Sequence, residues 1–435
     1  MKALNLLQTL KLSAQLVTEM DQMMKRPYWS REQIEAYQLK KIKILVDEAR
    51  HHSPLYQDKS LPDSRDIQTL ADVAKLPILT KAELLDRAPS EIISDRYDAE
   101  DLIVSKSSGS TGKALDVYYD EFSYNLFILA GLRLYLMAFD YRPWHRQTYI
   151  YTSPYPLKSL FGLYPLDFIS TLNPVADTIK QIQRNKPDLL VCYPSHLRSI
   201  AEQMTEKDLA KLKIKAINVN SEMSSAKERE ELAKRFNAFV FDDYSSEELT
   251  RIASQCRHLQ YHIFDDINYI EIVNEAGELV PEGEVGSIVG TNLHNIGMPL
   301  IRYNQGDRGA IRTQPCVCGR NFRILEKLEG RRNDAFVLSS GETLSSGYLL
   351  DLTYGVFLDF PGAVAAFCLI QNEADRWLLE LVPGKNWHQE LVTKIPSTLL
   401  RNLGRSQVHI QAMVVQDVRK TASGKANPIV SLVKR

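Results

Sequence analysis

The sequence predicts an α/β protein. Its large N-terminal domain is expected to hold doubly wound, mostly parallel sheets plus an antiparallel β meander, followed by a small α+β C-terminal domain. Three patterns support this fold class: strand and helix alternate over 187–248, strands joined by glycine turns fill 266–330, and a compact mixture of strands and helices follows. The 435 residues exceed one ordinary core. We therefore predict domains at 1–330, with a helical lead-in over 1–60, and at 331–435.

The elements of the first half follow from local signals. The strands "DLIV" and "LDVYYD" flank a polar loop, and Asp120 is placed to cap the apolar helix "EFSYNLFILAGLRLYLMAF". The strand "DLLVCY" precedes a helix "HLRSIAEQM" that Ser195 can cap, and "IKAINVN" precedes a helix that Ser225 and Glu228 begin as a capping box. The third strand of this series is "AFVFDDYSSEE". Such alternation indicates a parallel sheet.

Ligands of parallel sheets bind at the carboxyl ends of the strands. Ser221 and Glu222 follow the second strand of the series, and the segment 243–248 ends the third. We therefore expect these residues on one functional rim. Beyond 330 the pattern predicts a helix near 347–356, the strand pair "AAFCLI" and "WLLELV", another helix, and the strand "VHIQAMVV".

Composition excludes several function classes. With 44% hydrophobic and 25% charged residues, the chain reads as a soluble globular protein. A formal net charge of −1 gives no basic field for nonspecific binding of nucleic acid or anionic lipid. The N-terminal segment is broken by polar residues, unlike a signal peptide, and no later run predicts a membrane span. Five unevenly spaced cysteines favour a reduced, cytoplasmic protein. From the charge and the hydropathy we expect neither a nucleic-acid nor a membrane partner.

The segment "SSGSTGK" lies between the first two predicted strands and combines glycines, hydroxyl side chains and a lysine. Its members are Ser107, Ser108, Gly109, Ser110, Thr111, Gly112 and Lys113. The glycines let backbone amides turn toward an anion, while the hydroxyls and the lysine add donors and a positive charge, which suits a polyphosphate. The Walker A spacing is absent and a strand follows, so this is not a P-loop. An ordinary Ser/Gly surface turn is the alternative.

Five ordered segments carry a resemblance to a known family. "SSGSTGK" resembles the phosphate loop of the adenylate-forming superfamily of acyl-CoA ligases and adenylation domains. "DDYSSEE" resembles its adenine-binding segment, "RYNQGDRG" its ribose-binding segment, "EGRRNDAFVLSSGE" its hinge and "RKTASGKAN" its C-terminal lysine segment. With "HHSPLYQD" and "LPILTKAEL", the chain is most similar to the branch of phenylacetate–CoA ligase, CapK and coenzyme F390 synthetase. The resemblance covers the chain from about residue 40 to its end.

The resemblance implies roles for individual residues. Lys425 would be the catalytic lysine on a mobile small domain, Asp334 its hinge, and Glu248 the Mg²⁺ ligand, with Glu247 as the rival by one position. Tyr244 would stack on adenine. The predicted nucleotide-binding residues beyond the loop are Ser221, Glu222, Asp243, Tyr244, Asp307 and Arg331. Each role has a structural alternative: ordinary packing for Tyr244, an ordinary turn position for Asp307, and a solvated charge for Arg331.

The implied activity is activation of a carboxylic acid by ATP through an acyl-adenylate. Pyrophosphate leaves, and the acyl group then passes to a thiol of CoA or of a carrier protein. Two alternatives stay open: transfer of AMP to a hydroxyl of a cofactor, as in an F390 synthetase, and a non-catalytic nucleotide-binding module. Ser245, where the family usually has glycine, favours the last one slightly. The acid, the acceptor and the oligomeric state, a homodimer included, are not determined by the sequence.

A second cluster of residues predicts a metal site. Cys256, His262, Cys316 and Cys318 offer three thiolates and an imidazole, a good tetrahedral set for Zn²⁺. His258 is a rival ligand, and free thiols in a reducing compartment are the alternative. The related branch has a similar zinc site. Such a site would be structural, because the four ligands leave no open position for catalysis.

Overall fold

The computed structural model describes residues 5–57, 59, 61–85, 87–107, 114–155, 157, 159–420 and 425–433. It contains two compact units. Unit 1 combines Met1–Arg142 with Asp243–Leu328, and unit 2 combines Pro143–Asp242 with Glu329–Arg435. Unit 2 joins C-terminal residues to a central segment of the chain. The predicted domain division near 330 stays a prediction.

The helices and strands follow the chain in this order. The α-helices are α1 (Leu6–Lys25), α2 (Arg31–His52), α3 (Pro54–Gln57), α4 (Leu70–Val73), α5 (Lys81–Leu85), α6 (Pro89–Ile92), α7 (Glu121–Phe139), α8 (Val175–Asn185), α9 (Pro194–Gln203), α10 (Glu206–Lys211), α11 (Ala226–Phe236), α12 (Ser346–Phe357) and α13 (Leu391–Leu403). The β-strands are β1 (Ile103–Lys106), β2 (Asp116–Tyr119), β3 (Gln147–Tyr151), β4 (Leu166–Ser170), β5 (Leu189–Cys192), β6 (Ala216–Asn220), β7 (Phe239–Ser246), β8 (Thr250–Gln255), β9 (Tyr261–Ile263), β10 (Asn268–Val273), β11 (Gly286–Asn292), β12 (Tyr303–Arg312), β13 (Ile324–Arg331), β14 (Phe336–Val337), β15 (Thr343–Leu344), β16 (Val364–Glu373), β17 (Arg376–Pro383), β18 (His409–Val414) and β19 (Ile429–Ser431).

Unit 1 contains the predicted antiparallel meander. Strand β10 pairs with β11, β11 with β12, β8 with β9, and β9 with β13, all antiparallel. The two strands that flank the predicted polar loop, β1 and β2, pair antiparallel, and Lys106 lies opposite Asp116. The antiparallel part of the predicted fold class is confirmed in this unit.

Helix α7 is the apolar helix predicted after Asp120. The Asp120 side chain accepts a hydrogen bond from the backbone N–H of Ser123, so the predicted cap is confirmed. Contrary to the sequence-based expectation, the 19 residues are long and apolar enough to cross a membrane. However, 67% of the hydrophobic window is buried within the protein. Burial in the core accounts for this composition.

A buried ion pair ties α7 to the segment before β10 within unit 1, and a hydrogen bond ties it to α1. The fully buried guanidinium of Arg133 donates to both carboxylate oxygens of Asp266, at 2.7 and 2.9 Å, and to the carbonyl of Met23 at 3.0 Å. Losing one partner of such a pair costs about 3–5 kcal/mol, because the other charge stays buried without compensation. The pair therefore fixes the position of α7 behind the hairpin.

Unit 2 contains the predicted parallel strands. Strand β3 pairs in parallel with β4 and with β5, and β5 pairs in parallel with β6. Strands β5 and β6 were predicted, whereas β3 and β4 were not. The aliphatic side chains of β5, β6, α9 and α11 form one buried cluster, in which Cys192 is fully buried. The carboxyl ends of these strands provide the rim on which Ser221 and Glu222 lie.

The helix caps of unit 2 differ in part from prediction. Ser225 caps α11 by accepting from the N–H of Glu228 at 3.0 Å, as predicted, but the Glu228 carboxylate accepts from Arg198 and does not close the capping box. The predicted cap by Ser195 is wrong. Helix α9 begins at Pro194, two residues before the predicted start at His196. The missing N–H and fixed φ of Pro194 suit the first helical position, so Tyr193 is the capping residue.

The C-terminal residues of unit 2 form a sheet in the order β18-β17-β16-β19. Strands β16 and β17 are antiparallel, while β19 and β18 add to them in parallel. Helices α12 and α13 bury their apolar side chains against this sheet, among them Leu349, Ile395 and Leu399. The predicted helices and strand pair of this segment are confirmed. Lys425 lies in the connection between β18 and β19.

Candidate active site

The polar loop begins at Ser107, which pairs with Leu115 at the loop end of the hairpin. Its Oγ accepts hydrogen bonds from the N–H of Leu115 at 2.8 Å and from Nζ of Lys81 at 3.1 Å. Ser107 is buried, and its own N–H donates to the carbonyl of Leu115. The other predicted loop residues, Ser108, Gly109, Ser110, Thr111, Gly112 and Lys113, lie outside the described residues. Lys81 is a cation at the loop that sequence reasoning missed.

The two adjacent glutamates contact the hairpin and the meander of unit 1. One carboxylate oxygen of Glu247 accepts from Oγ of Ser105 at 2.6 Å, and its carbonyl accepts from the hydroxyl of Tyr119. Burial, followed by the charges of both glutamates, raises the pKa of Tyr119 well above its ordinary value, so the hydroxyl stays a donor. Glu248 is buried and accepts from the hydroxyl of Tyr303 at 3.0 Å. Each carboxylate is thus held in place by one hydroxyl.

The predicted adenine and ribose residues are in contact with each other. The Tyr244 hydroxyl donates to a carboxylate oxygen of Asp307 at 2.5 Å, and both side chains are half-buried. The neighbouring Asp243 points elsewhere: its buried carboxylate forms an ion pair with Arg251 at 2.5 Å. Strand β7 alternates its side chains, so one aspartate is buried while the next residue reaches the surface. A nucleotide role for Asp243 therefore remains a prediction that its side chain does not support.

In unit 2, Ser221 and Glu222 lie directly after the carboxyl end of β6. Ser221 has φ = +66°, a left-handed conformation that is uncommon for a residue other than glycine and often marks functional positions. Its Oγ lies 3.3 Å from the Tyr151 hydroxyl. The turn at Ser221 directs the next side chain, Glu222, toward the start of α9.

The Glu222 carboxylate joins helix α9 to the C-terminal tail. It accepts from the N–H of Ser195 at 3.0 Å, from Oγ of Ser195 at 2.9 Å, and from the N–H of Ala426 at 2.6 Å. Burial raises the pKa of this carboxyl, and the three hydrogen bonds and Arg198 oppose that shift. The contact with Ala426 fixes the residue next to Lys425.

Lys425 itself faces an aromatic ring. Its Nζ lies 5.5 Å from the ring centroid of Tyr193, within the range of a cation–π contact. Two residues further, the Asn427 amide donates to the predicted hinge residue Asp334 at 3.3 Å. Arg331 is half-buried at the end of β13. Unit 2 thus brings Lys425, Glu222 and Asp334 to one region of the tail.

Tyrosines near Lys425 form a cluster that sequence reasoning missed. The rings of Tyr149 and Tyr151 are stacked at 4.0 Å, and Tyr155 and Tyr193 each contact one of them edge to face. The strand "QTYIY" places two of them on one face, because residues i and i+2 of a strand share a side. The high density of tyrosine in "TYIYTSPY" is the sequence feature that could have indicated this cluster. The cluster offers flat apolar surface beside the lysine.

The four predicted metal-binding residues lie together in unit 1. The ligand atoms of Cys256, His262, Cys316 and Cys318 all lie within 4.8 Å of one another. Sγ of Cys256 is 3.8 Å from that of Cys316, and Sγ of Cys318 is 3.2 Å from Nε2 of His262. The rival His258 contributes its backbone N–H to Sγ of Cys256 at 3.3 Å. Three sulfurs and one nitrogen thus converge.

The protonation chemistry of this cluster fits a metal. His262 directs Nδ1 to the carbonyl of Phe322 at 3.3 Å, which places its proton there and leaves Nε2 as the ligand atom. Burial lowers the pKa of His262 to about 4, so the ring is neutral near pH 7. Burial also raises the pKa of Cys318 to about 11, because the charged thiolate is poorly solvated there. A bound cation would stabilise the thiolate and remove this cost.

Comparisons with known proteins agree on one group of enzymes. No family model matches the chain. The chain is 25% identical over 334 residues to a phenylacetate-coenzyme A ligase of Thermus thermophilus, covering 71% of this chain and 72% of the relative. It is 26% identical over 410 residues to the phenylacetate-coenzyme A ligase of Aromatoleum evansii, covering 88% and 86%.

The chain is similar to the phenylacetate-coenzyme A ligases over most of its length.

A solved structure agrees with this relationship. The fold matches that of a 2-hydroxyisobutyryl-CoA ligase in its postadenylation state, with a TM-score of 0.78 at 17% identity, over 94% of this chain and 91% of that one. At 17% identity the match shows a shared fold and nothing more. The resemblance of the sequence to the adenylate-forming ligases and the predicted fold class are both confirmed. The individual site residues remain predictions.

Proposed function

We propose that this phenylacetate–CoA ligase relative activates a carboxylic acid with ATP and transfers the acyl group to the thiol of CoA. The observation that carries the proposal is the relationship to phenylacetate-coenzyme A ligases, which extends over 88% of the chain in one alignment. The retained Lys425 beside Glu222 supports an active enzyme over a non-catalytic module. Transfer to a carrier protein, or of AMP to a hydroxyl, is an alternative that the experiment below distinguishes.

The reaction consists of two substitutions. In the first, a carboxylate oxygen attacks the α-phosphorus of ATP, the bond to the bridging oxygen of pyrophosphate breaks, and an acyl-adenylate forms. In the second, the sulfur of CoA attacks the acyl carbon, AMP leaves with the electron pair, and the thiol proton passes to solvent. Because all partners in the first step are anionic, neutralising charge and aligning the groups are the main tasks of the protein.

Unit 1 supplies residues suited to the nucleotide. The phosphate loop and Lys81 provide donors and positive charge for the phosphates. Tyr244 provides a ring for adenine, and Asp307, already accepting from Tyr244, provides oxygens for the ribose hydroxyls. Glu248 is the proposed Mg²⁺ ligand, because Mg²⁺ binds few carboxylates and shares its other positions with waters and phosphates. Its carboxylate is held in place by Tyr303.

Unit 2 supplies the residues suited to the reacting carboxylate. Lys425 is the proposed cation for the carboxylate and the α-phosphate, and Glu222 is a positioning residue that holds the adjacent backbone N–H. Arg331 is proposed to bind the sugar and Asp334 to act as the hinge of a mobile small domain. Tyr151 and Tyr193 lie within ring contact of each other beside Lys425, so we place the body of the acid against them.

We further propose a structural Zn²⁺ ion bound by Cys256, His262, Cys316 and Cys318. The convergence of their ligand atoms and the orientation of His262 support it. The ion would connect the β8–β9 turn to the segment before β13 and would take no part in the reaction. None of the five cysteines forms a disulfide, which supports the proposal of a reducing, cytoplasmic location. A homodimer also remains a proposal.

Acid-dependent exchange of labelled pyrophosphate into ATP tests the function. The full-length protein is incubated with ATP, Mg²⁺ and single acids from a panel of aryl and fatty acids, and CoA consumption is followed in parallel. We expect exchange with an aryl acid and formation of its CoA thioester. Exchange without thioester, but with acylation of a carrier protein, would indicate the carrier alternative. AMP attached to a hydroxylated cofactor would indicate the adenylyltransferase, and ATP binding without turnover the non-catalytic module.

A further inference from the structure

A row of hydrogen-bonding side chains in unit 2 leads from the interior of the parallel sheet to the tyrosines near Lys425. The Tyr151 hydroxyl lies 3.3 Å from Oγ of Ser221, which lies 3.1 Å from Oδ1 of Asn220. Nδ2 of Asn220 lies 3.2 Å from Oδ1 of Asn218. The two asparagines are buried, Ser221 is exposed and Tyr151 is half-buried. We call these four residues the polar row.

The buried end of the polar row fixes the direction of its hydrogen bonds. Nδ2 of Asn218 lies 3.4 Å from the backbone carbonyls of Val219 and Phe241. Because a carbonyl can only accept, the amide nitrogen of Asn218 faces these carbonyls and its Oδ1 faces Asn220. Asn220 therefore presents its nitrogen to Asn218 and its oxygen to Ser221.

The same direction continues to the outer end of the polar row. Oδ1 of Asn220 accepts the hydroxyl proton of Ser221. A serine hydroxyl has one proton, so Oγ of Ser221 meets the Tyr151 hydroxyl as an acceptor. The Tyr151 proton is thus committed to Ser221. A further group that meets the Tyr151 oxygen has to donate a hydrogen bond to it.

Tyr151 is also a residue against which the proposed acid lies. Its ring centroid is 4.6 Å from that of Tyr193, and Nζ of Lys425 is 5.5 Å from the Tyr193 centroid. Lys425 is the cation proposed for the reacting carboxylate. Within that proposal, the polar row meets the body of the acid and not its carboxylate.

We propose that the substrate is an aryl carboxylic acid whose ring carries a hydrogen-bond donor, a phenolic hydroxyl or an aromatic amino group, and that this donor binds the Tyr151 oxygen. The inference rests on the proposed ligase function and adds the class of acid. A site that hydrogen-bonds a substrate hydroxyl rejects an analogue without that hydroxyl more strongly than an apolar pocket rejects a missing methylene. A substituent that only accepts would meet the Tyr151 oxygen with no proton between the two atoms.

Matched derivatives of phenylacetate test the class of acid with the full-length protein. Hydroxy, amino and fluoro derivatives are compared at the ortho, meta and para positions, because fluorine is small and carries no proton. Pyrophosphate exchange gives kcat/KM for each acid, and calorimetry in the presence of AMP gives its affinity. At one ring position at least, we expect the hydroxy or the amino acid to exceed the fluoro acid tenfold or more in both measurements. The better of the two identifies the donor.

Two variants test the direction of the polar row through the ratio of the donor acid to the fluoro acid, which a general defect would not change. Tyr151→Phe keeps the ring and removes the accepting oxygen, so the ratio should fall to within about threefold of one. Ser221→Gly removes the acceptor of the Tyr151 proton at a left-handed position that glycine adopts readily, so the ratio should fall at least threefold. Tyr149→Phe makes the same change on the ring stacked 4.0 Å from Tyr151 and should keep the wild-type ratio.

The two readouts separate this inference from the ligase proposal. Equal values for donor and fluoro acids at every ring position, or a wild-type ratio in both Tyr151→Phe and Ser221→Gly, would refute the class of acid while exchange still supported the ligase. Tenfold tighter binding of a donor acid without any exchange would contradict the ligase proposal and support recognition by Tyr151. Absence of both exchange and binding would refute both.

Discussion

The replacement Glu222→Gln tests how the C-terminal tail is positioned. In the wild type the carboxylate accepts from Ala426 N–H at 2.6 Å and from two groups of Ser195. The glutamine keeps the shape but has no charge and one acceptor oxygen fewer. Hydrogen bonds to charged groups contribute about 1.5–3 kcal/mol and neutral ones about 0.5–1.5. The contact beside Lys425 should therefore weaken by about 1–2 kcal/mol.

This loss predicts a specific kinetic pattern. At 1.4 kcal/mol per factor of ten, acid-dependent pyrophosphate exchange should fall about 5- to 30-fold. Thioester formation from supplied acyl-adenylate should change less than twofold, since that step does not require Lys425 in the proposed mechanism. The assays are run side by side, with urea unfolding to verify that the variant is folded. Glu230→Gln, an exposed glutamate of the same unit, is the control.

A result in which Glu222→Gln exchanges pyrophosphate at the wild-type rate would refute the positioning role. Equal loss of both half-reactions would also contradict it, because a general structural defect would then explain the data. Ser195→Ala keeps the Ala426 contact and removes only one donor to the carboxylate. It should therefore lose less exchange activity than Glu222→Gln.

Three further predictions concern the metals and the stability of unit 1. Elemental analysis should find one zinc per chain in protein purified without chelator, and Cys318→Ala should lose it together with thermal stability; metal-free wild type of unchanged stability would contradict this. Glu248→Gln should raise the Mg²⁺ concentration needed for half-maximal exchange at least tenfold, with a smaller effect of Glu247→Gln, and the reverse order would assign the ligand to Glu247. Burial raises the pKa of Asp265, but Arg323 and Arg31 outweigh it and the net pKa is lowered. Its stabilisation is then present above the unfolded pKa of about 4 and is lost progressively as pH falls from there through the lowered folded pKa. In urea unfolding, Asp265→Asn should therefore cost about 3–5 kcal/mol at pH 7 and less at pH 3; an equal cost at both pH values would show that the charge is not responsible.

Local patterns in the sequence predicted much of the fold. The period of two in "LDVYY" and the aspartate before an apolar run located β2 and the start of α7, because both signals act over a few residues. The same locality explains an error. Ser195 has the chemistry of a helix cap, but Pro194 takes the first helical position, and the Ser195 hydroxyl instead donates to Glu222, 27 residues away.

The candidate site is built by contacts between residues that are far apart in the sequence. The spacing of residues within a motif does not reveal such contacts. Lys81 reaches Ser107 from a short helix 26 residues earlier, and no motif marks it. Tyr193 contacts Lys425 across more than two hundred residues. The cysteine and histidine cluster was predictable because its chemistry is distinctive enough to be recognised before the distances are known.

The central claim is that Lys425 promotes attack on the α-phosphate, and Lys425→Ala tests it most directly. Both half-reactions are measured on the same preparation: pyrophosphate exchange with the acid, and thioester formation from supplied acyl-adenylate and CoA. We predict that exchange is lost by at least a hundredfold while thioester formation stays within a few-fold of the wild type. Wild-type exchange in Lys425→Ala, or equal loss of both reactions, would contradict the account.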